Sequence, residues 1–327
     1  MRSRSSQAAL FVSCAGIGAL ATPAMAQYSS GFETADGIAA APDGVELNEQ
    51  DSFYNPVPAT SVSALATTYM DNIWGIADNP TGDAQFIAAL GPGGGIFARS
   101  QRDIPYGDGT GAWTVCVDTL AIYLGALPAS QNIGSLSTQP YTPGTNAAFI
   151  SLSTWTDLNA ADTWDADFVW FTDAGVAVTE KVPDVGFQNL VANHWYRRCA
   201  TFDLDTNRIT SVAVTDLTAN TTVTYEPQDR YLDGGAAGGL PPPNGFRFFG
   251  GGGNPDNLLA FDNMDVEAAK VVCIADCNDD GALNILDFVC FQGEWQAQTE
   301  LGDCDGNDLY NILDFVCFQG VFQQGCN

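Results

Sequence analysis

A chain of 327 residues with 39 acidic against 11 basic side chains carries a formal charge of −28 at neutral pH. That excess of carboxylate repels a phosphate backbone and disfavours nucleic-acid partners, whereas it suits cations and an extracellular solvent. The length is ample for a sizeable buried core.

The chain opens with the basic Met1-Arg2-Ser3-Arg4, turns apolar from Ala8 to Ala21, and reaches Ala24-Met25-Ala26. A basic start, a short apolar stretch and an A-x-A site read as a secretory signal peptide over 1–26. The apolar run is too short to span a bilayer, and no later stretch is long enough to cross one. Cys14 leaves with this segment. Cys116, Cys199, Cys273, Cys277, Cys290, Cys304, Cys317 and Cys326 remain. An even count in an exported chain points to disulfides. Zinc is the rival, but Cys273-x3-Cys277 has no imidazole near it, and His194 is the sole histidine.

Residues 27–268 read as one β domain. Apolar or alternating runs recur at Ala84–Leu90, Gly95–Ala98, Trp113–Tyr123, Ala147–Trp155, Phe168–Phe171, Val176–Val182, Trp195–Leu204, Ile209–Leu217, Thr221–Tyr225, Phe246–Phe249 and Leu258–Val266. Turn residues such as Asn79-Pro80, Asp108-Gly109 and Asp205-Thr206-Asn207 punctuate them. This is the pattern of an antiparallel β-sandwich. Its densest acidic cluster is Asp157, Asp162, Asp165 and Asp167, interleaved with Trp155, Trp164 and Trp170. Carboxylates beside aromatic faces suit sugars; core tryptophans flanking a turn are the commoner reading. No catalytic set stands out. Paired glutamates on one strand are absent, no G-x-S-x-G elbow occurs, and a lone His194 at a strand start is ordinarily a hydrogen-bonded surface residue.

The last fifty-odd residues, 273–327, contain a unit built twice. Asp276-Cys277-Asn278-Asp279-Asp280-Gly281-Ala282-Leu283-Asn284-Ile285-Leu286-Asp287 recurs, 27 residues on, as Asp303-Cys304-Asp305-Gly306-Asn307-Asp308-Leu309-Tyr310-Asn311-Ile312-Leu313-Asp314. A twelve-residue calcium loop needs oxygen donors at positions one, three, five, seven, nine and twelve. The first copy offers Asp276, Asn278, Asp280, the Ala282 carbonyl, Asn284 and Asp287; the second offers Asp303, Asp305, Asn307, the Leu309 carbonyl, Asn311 and Asp314. Two Ca2+ sites are expected. Gly281 supplies the sharp turn at position six of the first loop, where the second has Asp308. Acidic Asx turns that bind nothing are the competing reading. A helix is expected after each loop. The runs Ile285–Phe291 and Ile312–Phe318 are apolar nearly all round, more than so small a module can bury.

With Asp at position twelve, no strong incoming helix, and the run Asn284-Ile285-Leu286-Asp287-Phe288-Val289-Cys290-Phe291 closing on Gly325-Cys326, the repeat resembles a dockerin module, in the cysteine-containing (GC-type) variant of planctomycete-type secreted proteins. The resemblance implies a cohesin-like or cell-envelope protein partner. The positions that select the partner would be Ile285, Leu286, Ile312 and Leu313, which are not the hydroxyl or charged residues of cellulosomal dockerins. Asn193-His194-Trp195-Tyr196, Ala200 to Ile209 and Leu259-Ala260-Phe261-Asp262-Asn263-Met264 resemble the concanavalin A-like, laminin-G-like jelly roll. The expected fold is therefore mainly β, a jelly-roll sandwich followed by a small α module. The leading functional expectation is a secreted, non-catalytic protein whose sandwich binds a glycan or protein and whose tail attaches it. A polysaccharide hydrolase or lyase carried by the tail and a structural envelope spacer are the alternatives. The favoured disulfides are Cys277–Cys290, Cys304–Cys317, Cys273–Cys326 and Cys116–Cys199, with the crossed set Cys277–Cys317 and Cys290–Cys304 also allowed by the pseudo-two-fold.

Overall fold

The computed structural model describes residues 28–104, 109–125, 131–139, 153–159, 162–238, 243–251, 257–268, 275–278, 282–305, 307 and 309–324. The expected signal peptide, Cys273, Cys326 and the loop ligand Asp280 lie outside the described residues. In chain order the strands are β1 (Tyr28–Ser30), β2 (Val45–Glu46), β3 (Ser61–Val62), β4 (Leu65–Thr68), β5 (Gln85–Leu90), β6 (Phe97–Asp103), β7 (Ala112–Tyr123), β8 (Gln131–Gln139), β9 (Ser153–Asn159), β10 (Thr163–Phe171), β11 (Ala177–Lys181), β12 (Leu190–Val191), β13 (Tyr196–Asp203), β14 (Arg208–Asp216), β15 (Thr221–Tyr225), β16 (Gly245–Gly250) and β17 (Asn257–Ala268). Two helices follow, α1 (Ile285–Ala297) and α2 (Ile312–Gln324). Among the described residues, no helix is long and apolar enough to cross a membrane.

The strands make two sheets. One runs β15-β14-β13-β7-β17-β5-β4-β2, with β1 also on β17; the other runs β11-β10-β9-β8-β16-β6-β3, with β12 also on β10. Among the named strands described, the short β3–β6 contact is the one parallel pairing, and an isolated parallel bridge joins Ala41 to Thr67. The result is an antiparallel sandwich of jelly-roll type. Of the expected run Ala147–Trp155, residues 147–152 lie outside the described residues, and β9 covers Ser153–Asn159. β10 extends the expected Phe168–Phe171 back to Thr163.

Alternation places every second side chain between the sheets. Val115, Val117, Phe202 and Phe261 come from the first sheet, and Ala98, Leu136, Ala166, Phe168, Phe246 and Phe248 from the second. The Phe248 and Phe261 rings meet across the gap with centroids 4.6 Å apart. Each such ring contributes about 1.5–3 kcal/mol of burial. Cys116 and Cys199 sit directly opposite each other on β7 and β13 and form a disulfide across a sequence separation of 83. Gly134 lies at a bulge in β8 with φ +155°, where a Cβ would fall 2.2 Å from the Phe249 carbonyl. A side chain at this position would push β16 away.

β17 also carries a bulge. Its register on β7 shifts between Asp262 and Asp265, and Asn263 adopts φ +42°. The bulge is held by a buried polar network. Tyr69 Oη donates to Asp262 Oδ2 at 2.7 Å, and Asn79 Nδ2 donates to both Asp262 Oδ2 (3.1 Å) and Asp118 Oδ2 (3.0 Å). Asn263 Nδ2 donates to Asp118 Oδ2 and Asp83 Oδ2, and Arg197 donates to Asp118 Oδ1. Asp118 and Asp262 are fully buried. Burial, above all, pushes both carboxyls up, Asp262 to about 8, against the opposing effect of these donors.

A carboxyl raised in the folded state stabilises fully below its unfolded value of 3.8; that stabilisation is eroded as pH rises and is gone once pH passes about 8. We therefore expect denaturant-unfolding free energy to fall across this window. Asp262→Asn, which cannot ionise, should show a shallower decline in the same titration.

Candidate functional site

The duplicated loops are built around their helix starts. Asn284 caps α1: its side chain accepts from Leu286 N at 2.8 Å, and Asp287 returns the bond by accepting from Asn284 N at 2.7 Å. The second copy repeats both bonds, Leu313 N to Asn311 and Asn311 N to Asp314 Oδ2, at the same distances. This is a reciprocal capping box, and it satisfies otherwise orphaned amides of the first turn. The position-nine residues Asn284 and Asn311 thus serve as caps, and their amides donate to the Ala282 and Leu309 carbonyls at 2.7 Å.

The box leaves one carboxylate oxygen over in the second loop. Asp314 is fully buried, its Oδ2 is engaged by Asn311, and its Oδ1 has no partner. Asp303, Asp305 and Asp314 each bring an oxygen to within 4.8 Å of the other two. Local desolvation, then the charges of Asp314 and Asp303, hold the Asp305 carboxyl above its ordinary range. Asn307, also of the expected ligand set, is exposed and donates its backbone N–H to Asp303 Oδ1 at 3.1 Å. An all-oxygen set with an enclosed, unsatisfied carboxylate atom fits a hard divalent cation. In the first loop, Asp287 is equally buried and accepts from the backbone N–H groups of Asn284 and Asn278; Asp276 is half-buried and Asn278 exposed.

The helices pack through rings. Phe291 stacks on Phe318 with centroids 4.2 Å apart, and Phe288–Phe318 and Phe291–Phe315 meet edge-on around that pair. The opposite faces stay open. Ile285, Leu286, Ile312 and Leu313 are 71%, 54%, 70% and 55% exposed, so they are not core of the repeat. Disulfides join each loop to its own helix, Cys277–Cys290 and Cys304–Cys317, with Cα separations of 5.7 and 5.8 Å.

A second candidate lies on the sandwich. On β6, β16 and β8 the register aligns Arg99, Phe249 and Ser135 in one row and Gln101, Arg247 and Ser137 in the next. These side chains face away from Ala98, Phe248 and Leu136, which enter the core. Further along the same face, Asp167 on β10 pairs in register with Lys181 on β11, and Lys181 forms an ion pair with Asp165. The acidic-aromatic cluster of the sequence is therefore split by the pleat. Asp165 and Asp167 are on this outer face, whereas Trp164 and Trp170 are buried on the core side. Asp162 is exposed in the β9–β10 turn with φ +62°. The side chains of Trp155 and Asp157 lie outside the described atoms. His194 pairs with Asp216 Oδ1 at 3.0 Å.

Arg99 and Arg247 were not singled out from the sequence. Their signal was a charged residue alternating with aromatic ones, in Phe97-Ala98-Arg99 and Phe246-Arg247-Phe248-Phe249. Arg247 Nε and Nη2 donate to Gln101 Oε1 at 2.9 and 2.7 Å. The Arg99 guanidinium lies over Phe97 and Phe249, 5.0 and 5.3 Å from the ring centroids. Burial lowers the pKa of Arg99; burial and then the Arg99 charge lower that of Arg247 to about 10.

No family model matches this sequence, and no curated protein matches it. Among solved structures it is similar to the cellulose-induced protein Cip1, at 11% identity over 75% of this chain and 99% of that one, TM-score 0.43. It is also similar to the exoplasmic/lumenal domain of VIP36 in a Ca2+/Man-bound form, at 11% identity over 58% and 80%, TM-score 0.37. A third is the CBM2 module of the evolved Dit of Lactobacillus casei BL23 phage J-1, at 11% identity over 56% and 76%, TM-score 0.35. At these identities and scores the likenesses bear on neither ligand nor activity.

The two tail disulfides each close a loop of thirteen residues' separation, worth about 3 kcal/mol each in the chain-entropy account. Peptide mapping of the unreduced protein should recover Cys277 with Cys290 and Cys304 with Cys317. Recovery of Cys277 with Cys317 would show the crossed arrangement instead.

Proposed function

We propose that this is a secreted, non-catalytic protein with two working surfaces. Its tail is a dockerin-like pair of calcium loops that attaches it to a cohesin-like or cell-envelope partner, and its jelly-roll sandwich binds a glycan through the outer face of the eight-stranded sheet. One observation carries the reading of the tail: three loop carboxylates converge, with an enclosed Asp314 oxygen lacking any partner, next to helix faces that leave four large apolar residues exposed. Asp303, Asp305 and Asp314 would hold calcium in the second loop, with Asn307 and the Leu309 carbonyl, and Asp276, Asn278, Asp280, Asp287 and the Ala282 carbonyl would do so in the first. Calcium would supply the positive charge that offsets their mutual repulsion. The chain's own part is the capping box, which anchors Asp287 and Asp314 at the helix starts whether or not an ion is bound.

Calcium should raise the thermal midpoint of the tail in the full secreted chain, by an amount equivalent to about 2.7 kcal/mol at a hundredfold excess over Kd. Asp314→Ala should remove the second loop's share and weaken α2 by about 1 kcal/mol through loss of the capping bond. Identical melting curves in chelator and in excess calcium would overturn the calcium reading.

Exposed apolar surface of this kind marks interaction sites. Ile285→Asp with Leu286→Asp should weaken attachment in part, since Ile312 and Leu313 offer the same pair on the second helix. Changing all four should release the protein from the envelope fraction into the medium while the calcium-dependent melting shift persists. A fourfold variant that stays folded and still fractionates with the envelope is the contrary result.

A further inference from the structure

The outer sheet face holds two arginines that, among the described residues, have no carboxylate partner. Arg102, Arg197, Arg208 and Arg230 pair with Asp51, Asp118, Asp229 and Glu180. Among the described residues Arg99 and Arg247 form no ion pair, although 39 acidic residues are available in the chain. Arg99 is 8% exposed, and its Nε and Nη1 have no hydrogen-bond partner at all. Ser135, in the same row of the sheet, is fully buried, and its Oγ is unpartnered too. Arg247 is 5% exposed, and its guanidinium donates to the neutral Gln101 oxygen.

Enclosed donors without acceptors are rare, and each asks for an explanation. A buried cation without a counter-charge is strongly destabilising, and a second cation on the next strand adds to the cost. Folding alone does not account for such a pair. A ligand oxyanion would answer all of it at once: it would accept from the enclosed, unpartnered Arg99 donors, take the Ser135 hydroxyl, and offset the positive charge shared with Arg247. Guanidinium forks match carboxylate and sulfate geometry, and Gln101 already holds the Arg247 fork in place. The half-buried Phe97 ring, stacked on Phe249 with centroids 5.0 Å apart, keeps a partly exposed apolar edge beside Arg99 for a sugar ring.

We infer that Arg99 and Arg247 form an oxyanion subsite on the outer sheet face, and that the glycan bound there is an acidic polysaccharide carrying carboxylate or sulfate groups. This rests on the reading of that face as the glycan surface.

The test measures binding of the full secreted chain, with calcium present, to a polyuronate, a sulfated galactan and a neutral β-glucan. We expect at least one acidic polymer to bind at least about tenfold more tightly than the neutral one. A preference for the polyuronate identifies the carboxylate as the recognised group, and a preference for the galactan identifies the sulfate. Arg99→Gln and Arg247→Gln should each lower affinity for the acidic polymer by roughly 10–100-fold, the loss of a charge-assisted hydrogen bond. Arg99→Lys, which keeps the charge and loses the fork, should fall between. The Tm of Arg99→Gln should be unchanged or higher, because an unpaired buried cation is gone; a purely structural arginine would give the reverse. Equal binding of neutral and acidic polymers would overturn the subsite while leaving the glycan reading intact. Binding to no polysaccharide would overturn both. Loss of binding accompanied by a lowered Tm in both glutamine variants would make the arginines structural and overturn the subsite.

Discussion

Because a pleated strand sends successive side chains to opposite faces, one residue of register decides whether a side chain meets the core or the outer surface. The whole sandwich depends on that constraint. On β10 it puts Trp164, Phe168 and Trp170 inside and Asp165 and Asp167 outside. On β16 it puts Phe246 and Phe248 inside and aligns Arg247 with Gln101 and Ser137 outside. Where the pairing must slip, the chain uses a bulge, and two of the bulges have their own chemistry: a glycine at position 134, where no side chain fits, and on β17 a buried amide-carboxyl network around Asp262.

The tail works by another principle. Its helices are short and too apolar for one packing face to satisfy, so the ring cluster around Phe291 and Phe318 covers one side and leaves the other to solvent. What sets the helix starts is the reciprocal bond between an asparagine at the cap and an aspartate three residues on, made twice. In the second copy that aspartate, Asp314, belongs at once to a helix cap and to a converging set of acids. Disulfides from loop to helix hold each half together on its own.

Much of this was legible in the sequence, for reasons that differ along the chain. Several of the long strands were found within a residue or two, Trp113–Tyr123 against the observed Ala112–Tyr123, because β-branched and aromatic runs bounded by turn residues leave little else to be. The two helix starts, at Ile285 and Ile312, could be read from the repeat. β8 escaped: Gln131–Gln139 is rich in Ser, Thr, Asn and Gln and contains a glycine, because a bulge interrupts its alternation. β2 and β3 escaped because two residues show no period. The unpaired arginines could not be recognised in advance. Arg99 and Arg247 are far apart in sequence, and only the pairing of β6 with β16 shows that both face the same way.

The place of β17 has a consequence for the order in which this protein can come into being. It is the strand that joins β7 on one side to β5 and β1 on the other, so the two halves of the nine-stranded sheet meet nowhere else along that path. It is also the last strand of the sandwich to be synthesised. Until residue 268 has emerged, β7 and β5 each present a bare edge, and β1, made first, has nothing to pair with. Contacts between positions near 28 and 266 demand closure of almost the entire domain, which slows folding and prolongs the exposure of those edges. A ribosome stalled before β17, or a protease cut just ahead of it, would yield two half-sheets competent to join other copies rather than each other. The nine-stranded sheet can therefore be completed only once its last strand has been made.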